Sequence, residues 1–260
     1  AMSGALDNCD GTVAVGKSAL AALTSGAGNL AVGYQAGKSI TTNTNCTFIG
    51  YQAGMDADAS NTSPVSCTYI GSRSGENIDD GTGGNTAVGY AALFGATSNA
   101  NTAANNVAVG VDALFDVTSG GNNVGVGKSA LESITTGEKN IMIGATAGDA
   151  IDGETNNVGI GYGAMGGAVN GADKCIAIGS DSLSGAITQD GTIAIGHDTL
   201  AALTDGSGNT AVGYQAGKLT TTGTSNVYIG YQAGDATHVD ASANVAIGKN
   251  AFGGTHTGTV

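Results

Sequence analysis

Tryptophan is absent, proline occurs once as Pro64, arginine once as Arg73, and only 11% of the 260 residues are charged. Each shortage excludes something. A single proline and no strict Gly-X-Y period rule out a collagen helix, although 46 glycines far exceed the usual share of ~7%. Eight basic residues, spread along a chain of net charge −13, form no cluster able to grip a phosphate backbone, so no nucleic-acid partner is expected. No stretch approaches the ~18 consecutive apolar residues of a spanning helix, so no membrane insertion is expected. The opening residues carry no charged and apolar signal segment. Disorder is excluded by an apolar content of 41%, with Val and Ile recurring at regular places.

What is present is a repeat. A Val or Ile followed by Gly returns at Gly16, Gly33, Gly50, Gly71, Gly89, Gly110, Gly127, Gly144, Gly161, Gly179, Gly196, Gly213, Gly230 and Gly248, fourteen times at spacings of 17 to 21 residues. Three residues before this anchor stands Val, Ile or Leu in ten copies and Thr in four. Between the two lies Ala in eight copies and Gly in two, interrupted by Phe48, Tyr69, Met142 and Tyr228. Four before the anchor stands Asn in nine copies, and three after it Ala in eleven.

Apolar residues two apart describe a short strand with one buried face. Glycine marks the bend that follows, and Thr-Thr-Gly, Ser-Gly, Asp-Gly and Asn runs supply turn chemistry. No single unit buries a core, but stacked units do. The expected fold is all-β, a parallel β-solenoid (β-roll) of about fourteen coils over residues 11–253, with a lead-in at 1–10 and a tail at 254–260. The Val and Ile columns are expected to form the core and the small column to face outward, where another chain could approach. At ~4.8 Å per coil the rod would be roughly 65 Å long.

The stretch GTVAVGKS (11–18) fits the phosphate-binding pattern G-x-x-x-x-G-K-[ST], and GYGAMG (161–166) fits G-x-G-x-x-G. Both are phases of the repeat, and a phosphate loop needs a strand leading into a helix instead. No nucleotide is expected.

The units NLAVGYQAG (29–37), NTAVGYQAG (209–217), NVYIGYQAG (226–234) and NVAIGKNAF (244–252) carry a resemblance. They resemble the head repeats of trimeric autotransporter adhesins, and still more the N-T-A-V-G-Y-x-A-L repeats of phage tail fibres and related surface proteins. The coils of this chain are longer than the adhesin repeat. The resemblance implies a homotrimer of β-rolls, located extracellularly on a virion tail or cell surface. It also implies a cell-surface receptor, with a glycan as one candidate partner.

Candidate sites follow from the columns. Cys46 and Cys67 share a column in adjacent coils and are expected to be bonded or in contact. Cys9 and Cys175 lie too many coils apart to pair within one chain, leaving them as thiols or as links between chains. His197, His238 and His256 have no zinc spacing, and no Ser sits in a nucleophile elbow, so no metal, cofactor or catalytic residue is expected. Asp-Gly steps at Asp10, Asp80, Asp152, Asp190 and Asp205 read as turns rather than calcium loops. Candidate recognition residues are Tyr34, Tyr51, Tyr214 and Tyr231, with Gln35, Gln52, Gln215 and Gln232 nearby. A ladder of like residues that merely stabilises is the competing reading. Two longer coils extrude Met55–Ser66 and Phe94–Asn105, which adds Asp56, Asp58, Asn61, Asn99 and Asn101. The expected function is a non-enzymatic fibre segment that spaces or displays a contact surface; the alternative is a carbohydrate-active β-solenoid, a lyase or depolymerase.

Overall fold

The computed structural model describes residues 8–57, 66–78, 83–96, 101–235 and 240–253. The chain gathers into two compact units, Ala1–Glu138 and Lys139–Val260. Each is a parallel β-solenoid, and no helix occurs among the described residues. The first unit contains β1 (Val13–Val15), β2 (Leu30–Val32), β3 (Thr47–Ile49), β4 (Thr68–Ile70), β5 (Thr86–Val88), β6 (Val107–Val109) and β7 (Val124–Val126). Each pairs in parallel with the next, column on column: Val13 lies beside Leu30, Ala14 beside Ala31, Val15 beside Val32. The second contains β8 (Ile141–Ile143), β9 (Val158–Ile160), β10 (Ile176–Ile178), β11 (Ile193–Ile195), β12 (Thr210–Val212), β13 (Val227–Ile229) and β14 (Val245–Ile247), stacked in the same way.

The anchor glycines are fixed by two constraints at once. Their φ angles lie between +123° and +144°, which side chains rarely adopt. A Cβ at Gly33 would also fall against the carbonyl of Gly50, and one at Gly50 against Gly71, at distances no atom pair tolerates. Past this corner the second and fourth residues turn left-handed, as at Gln35 (φ 54°) and Leu20 (φ 49°). The coil-to-coil bonding therefore continues round the bend: Gly33 N–H donates to the Val15 carbonyl, Gln35 N–H to Lys17, and Leu20 N–H to Ala36. For a non-glycine residue that conformation costs roughly 1–2 kcal/mol, which the corner bonds and the burial of Leu20 offset.

The expected facing is reversed. The middle residue of each strand points inward, and the Val and Ile columns point out. Ala31, Phe48, Tyr69, Ala87 and Ala108 are buried in the first unit, as are Met142, Ala177, Ala194, Ala211 and Tyr228 in the second. By contrast Val15, Ile70, Ile143, Ile195 and Ile229 are exposed. The core comes from the corner: Leu20, Leu93, Leu114, Leu131, Leu183 and Leu200, four after the anchor, with Leu23, Ile40, Ile78, Ile134, Ile151 and Leu203 further on. These side chains already fill the coil, so the strand contributes mostly Ala.

The four bulky strand residues obey a volume rule. Phe48 lies against Gly37 and Gly54, Tyr69 against Gly54 and Gly75, and Tyr228 against Gly217 and Gly234. A ring on the strand thus fits where leucine is missing from its own corner and from the preceding one. Met142 lies against Gly148 of its own corner and Gly159 of the next strand, while Leu131 stays at the preceding corner. These residues are core, not interruptions of a docking surface.

The asparagine column closes the backbone account. Asn157 is fully buried; its Nδ2 donates to the Ala172 carbonyl and its Oδ1 accepts from the Cys175 N–H. Asn106 does the same for Gly120 and Asn123. Each side chain reaches into the next coil and pairs backbone groups that the three-residue strands leave over.

Candidate functional site

The residues just after the anchor glycines form the exposed corner. In the first unit Tyr34 and Tyr51 stack with centroids 5.4 Å apart and planes 12° apart, and the Lys17 ammonium sits 6.0 Å from the Tyr34 ring. In the second unit the row is longer. His197 stacks on Tyr214 at 5.4 Å, Tyr214 on Tyr231 at 5.2 Å, and Lys249 caps Tyr231 at 5.6 Å. The in-register stacking imposes this spacing, because a column repeats at the strand separation.

The rings lie on one another, so most ring faces are covered by neighbours. What a partner meets is a row of ring edges and hydroxyls. Beside it runs the amide column, in which Gln52 Nε2 donates to Gln35 Oε1 and Gln232 Nε2 to Gln215 Oε1, both at 3.0 Å. In the second unit this column continues into Asp198, whose Oδ2 accepts from Gln215 Nε2 at 3.1 Å and from Lys218 Nζ at 2.6 Å. The Lys218 contact, above all, holds the Asp198 carboxyl below the usual carboxylate range. Hydroxyl edges beside amides, an acid and an ammonium make a polar, hydrogen-bonding strip.

The other predicted residues are less uniform. Asp56 is exposed and accepts from Ser39 Oγ at 3.1 Å. Asn101 is 2% exposed, and its Nδ2 holds the carbonyls of Asn77 and Ala96. It therefore braces the base of its loop instead of facing a partner. Asp58, Asn61 and Asn99 lie outside the described residues, as do His238 and His256. Cys46 and Cys67 replace Asn in the ladder column, are buried, and bring their Sγ atoms to 3.1 Å. Cys175 occupies the same column, and burial pushes its thiol up. Lys17 of GTVAVGKS follows β1 into a turn, with no helix behind it.

One grouping escaped the sequence reading. His197 and Asp198 meet Asp181 of the preceding coil, and their donor atoms all lie within 4.8 Å of one another. The signal was available: Asp181 and Asp198 stand two after successive anchors, 17 residues apart. A search for ligands by local spacing cannot find it; a search down the columns can.

In the first unit Asp112 and Asp116 have raised carboxyls, through burial first and the Glu132 charge second. No helix of the described residues is long and apolar enough to cross a membrane. Compared with known protein families, curated proteins and solved structures, the chain matches none.

Proposed function

We propose that the chain is a non-enzymatic extracellular fibre segment, of the tail-fibre or surface-adhesin kind, whose copies associate and which spaces or displays a receptor-contact surface. The observation that carries this reading is the outward strand face. Two outward positions on each of fourteen strands hold Val, Ile, Leu or Thr and never a charge, in a chain of net charge −13. Rows of half-buried to exposed, mostly apolar side chains on an acidic protein mark a surface meant to be covered. A copy of the same chain offers the same uncharged row at the same rise, and the repeat resemblance supports three copies. The polar corner strip is left for a receptor, with a glycan as candidate.

Native mass measurement tests the association: three times the 25.0 kDa chain is expected. Lys at both Val126 and Ile195, one on each unit, should release monomers. A wild-type monomer at micromolar concentration would overturn the reading. Binding on a glycan array separates display from a bare spacer. The carbohydrate-active alternative draws support from Asp112 and Asp116, whose carboxyls burial and Glu132 shift upward, the direction a general acid needs. Loss of polysaccharide viscosity on incubation would favour it.

A further inference from the structure

We propose that Asp181, His197 and Asp198 form a surface binding site for a divalent first-row transition ion of the zinc type. The proposal goes beyond the fibre reading and does not rest on it. Among the described residues no other three His, Cys, Asp or Glu donors come together this closely. The donor set, one imidazole and two carboxylates, suits Zn²⁺ and its neighbours better than Ca²⁺, which takes oxygen alone. Three ligands at ~2.1 Å from one ion lie roughly 3.4 Å apart in a tetrahedron, so donors already within 4.8 Å of one another close on an ion by small side-chain rotations.

Surrounding contacts hold the donors in place. Tyr214 stacks on the His197 ring with planes 17° apart, which restricts its rotation. The Asp198 Oδ2 is occupied by Lys218 and Gln215, while its Oδ1 faces His197 Nδ1 at 3.5 Å. Ser180 Oγ donates to Asp181 Oδ2 at 3.1 Å. Ligating carboxylates steadied from behind in this way are the usual outer support of a metal site. The backbone contributes too: Asp181 and Asp198 both stand at left-handed corner positions with φ 53°, which brings the two carboxylates to the same side of adjacent coils. His197 is exposed, so the ion would keep water on its open side. Lys218 is the opposing element. Its ammonium neutralises one of the two carboxylate charges, and the site exists despite it.

Chelator-treated protein titrated with Zn²⁺ in a calorimeter, with a phosphine reductant present, is expected to take up one equivalent per chain. His197→Ala and Asp181→Asn should each weaken uptake at least ~tenfold, with thermal unfolding of the metal-free variants confirming an intact fold. Lys218→Met should tighten it severalfold by removing a competing cation. In the wild-type protein the ¹⁵N resonances of the His197 ring should move on zinc addition, a readout that needs no variant. No uptake by the wild type, uptake that survives His197→Ala, or a Lys218→Met protein that binds no more tightly would each overturn the proposal.

Discussion

The work of single residues is clearest in the buried asparagines. Asn157 satisfies one carbonyl and one N–H in the next coil, neither of which has a strand partner. Asn157→Ala strands both, and a buried orphan costs ~1–3 kcal/mol. Urea unfolding should show a loss in that range or above, and Asn157→Asp a larger one, because its acceptor would face the Ala172 carbonyl. Charge acts at this scale as well. The Asp112 and Asp116 carboxyls are raised in the fold, so their protonated forms are favoured there. Their contribution is fully present below the ordinary carboxylate pKa of ~4 and is lost as pH rises through the elevated values. Glu132→Gln removes part of the cause. It should raise the melting temperature at pH 7, with the gain shrinking as the pH approaches 4.

At the scale of the coil, volume decides. Gly217 gives room to Tyr228 on one side and Leu200 on the other. Gly217→Leu should overpack the core and cost ~1–3 kcal/mol or more. Adding Tyr228→Ala should recover part of the loss, since an Ala strand beside a leucine corner is the combination used elsewhere in the stack. A double-mutant cycle by thermal unfolding checks the coupling.

The strand, the bend and the stacking were legible in the sequence because glycine recurs at fixed phase. The facing was not. A three-residue strand such as Val13–Val15 offers one alternation, which reads equally well in either direction. Hydrophobicity favoured Val inside, and only the leucines at the corner, already filling the interior, decide otherwise. The tyrosine rows were legible for the same columnar reason as the strands. The role of Asn101 was not, because an asparagine in a loop reads as exposed until its amide is seen to bridge two carbonyls. The Asp181, His197 and Asp198 grouping was hidden by a search for nearby ligands in a fold where neighbours are a whole coil apart.

At the scale of the whole molecule, the phase of the columns matters more than the length of the loops. Coils of 17, 18 and 21 residues coexist, so the turns absorb extra residues. An alanine inserted after Gly171, in a turn, should change stability little, within ~0.5 kcal/mol. The same alanine between Ala177 and Ile178 shifts the side-chain parity of β10 and should cost on the order of 3 kcal/mol. Melting temperatures of the two insertion proteins distinguish the cases. Coils that share one phase also have a genetic consequence. A crossover misaligned by one unit between two copies of such a gene joins anchor Gly to anchor Gly and adds or removes one coil, and the packing is kept where each strand ring still meets glycine corners. The number of coils is then adjustable by recombination alone, without a new surface having to arise.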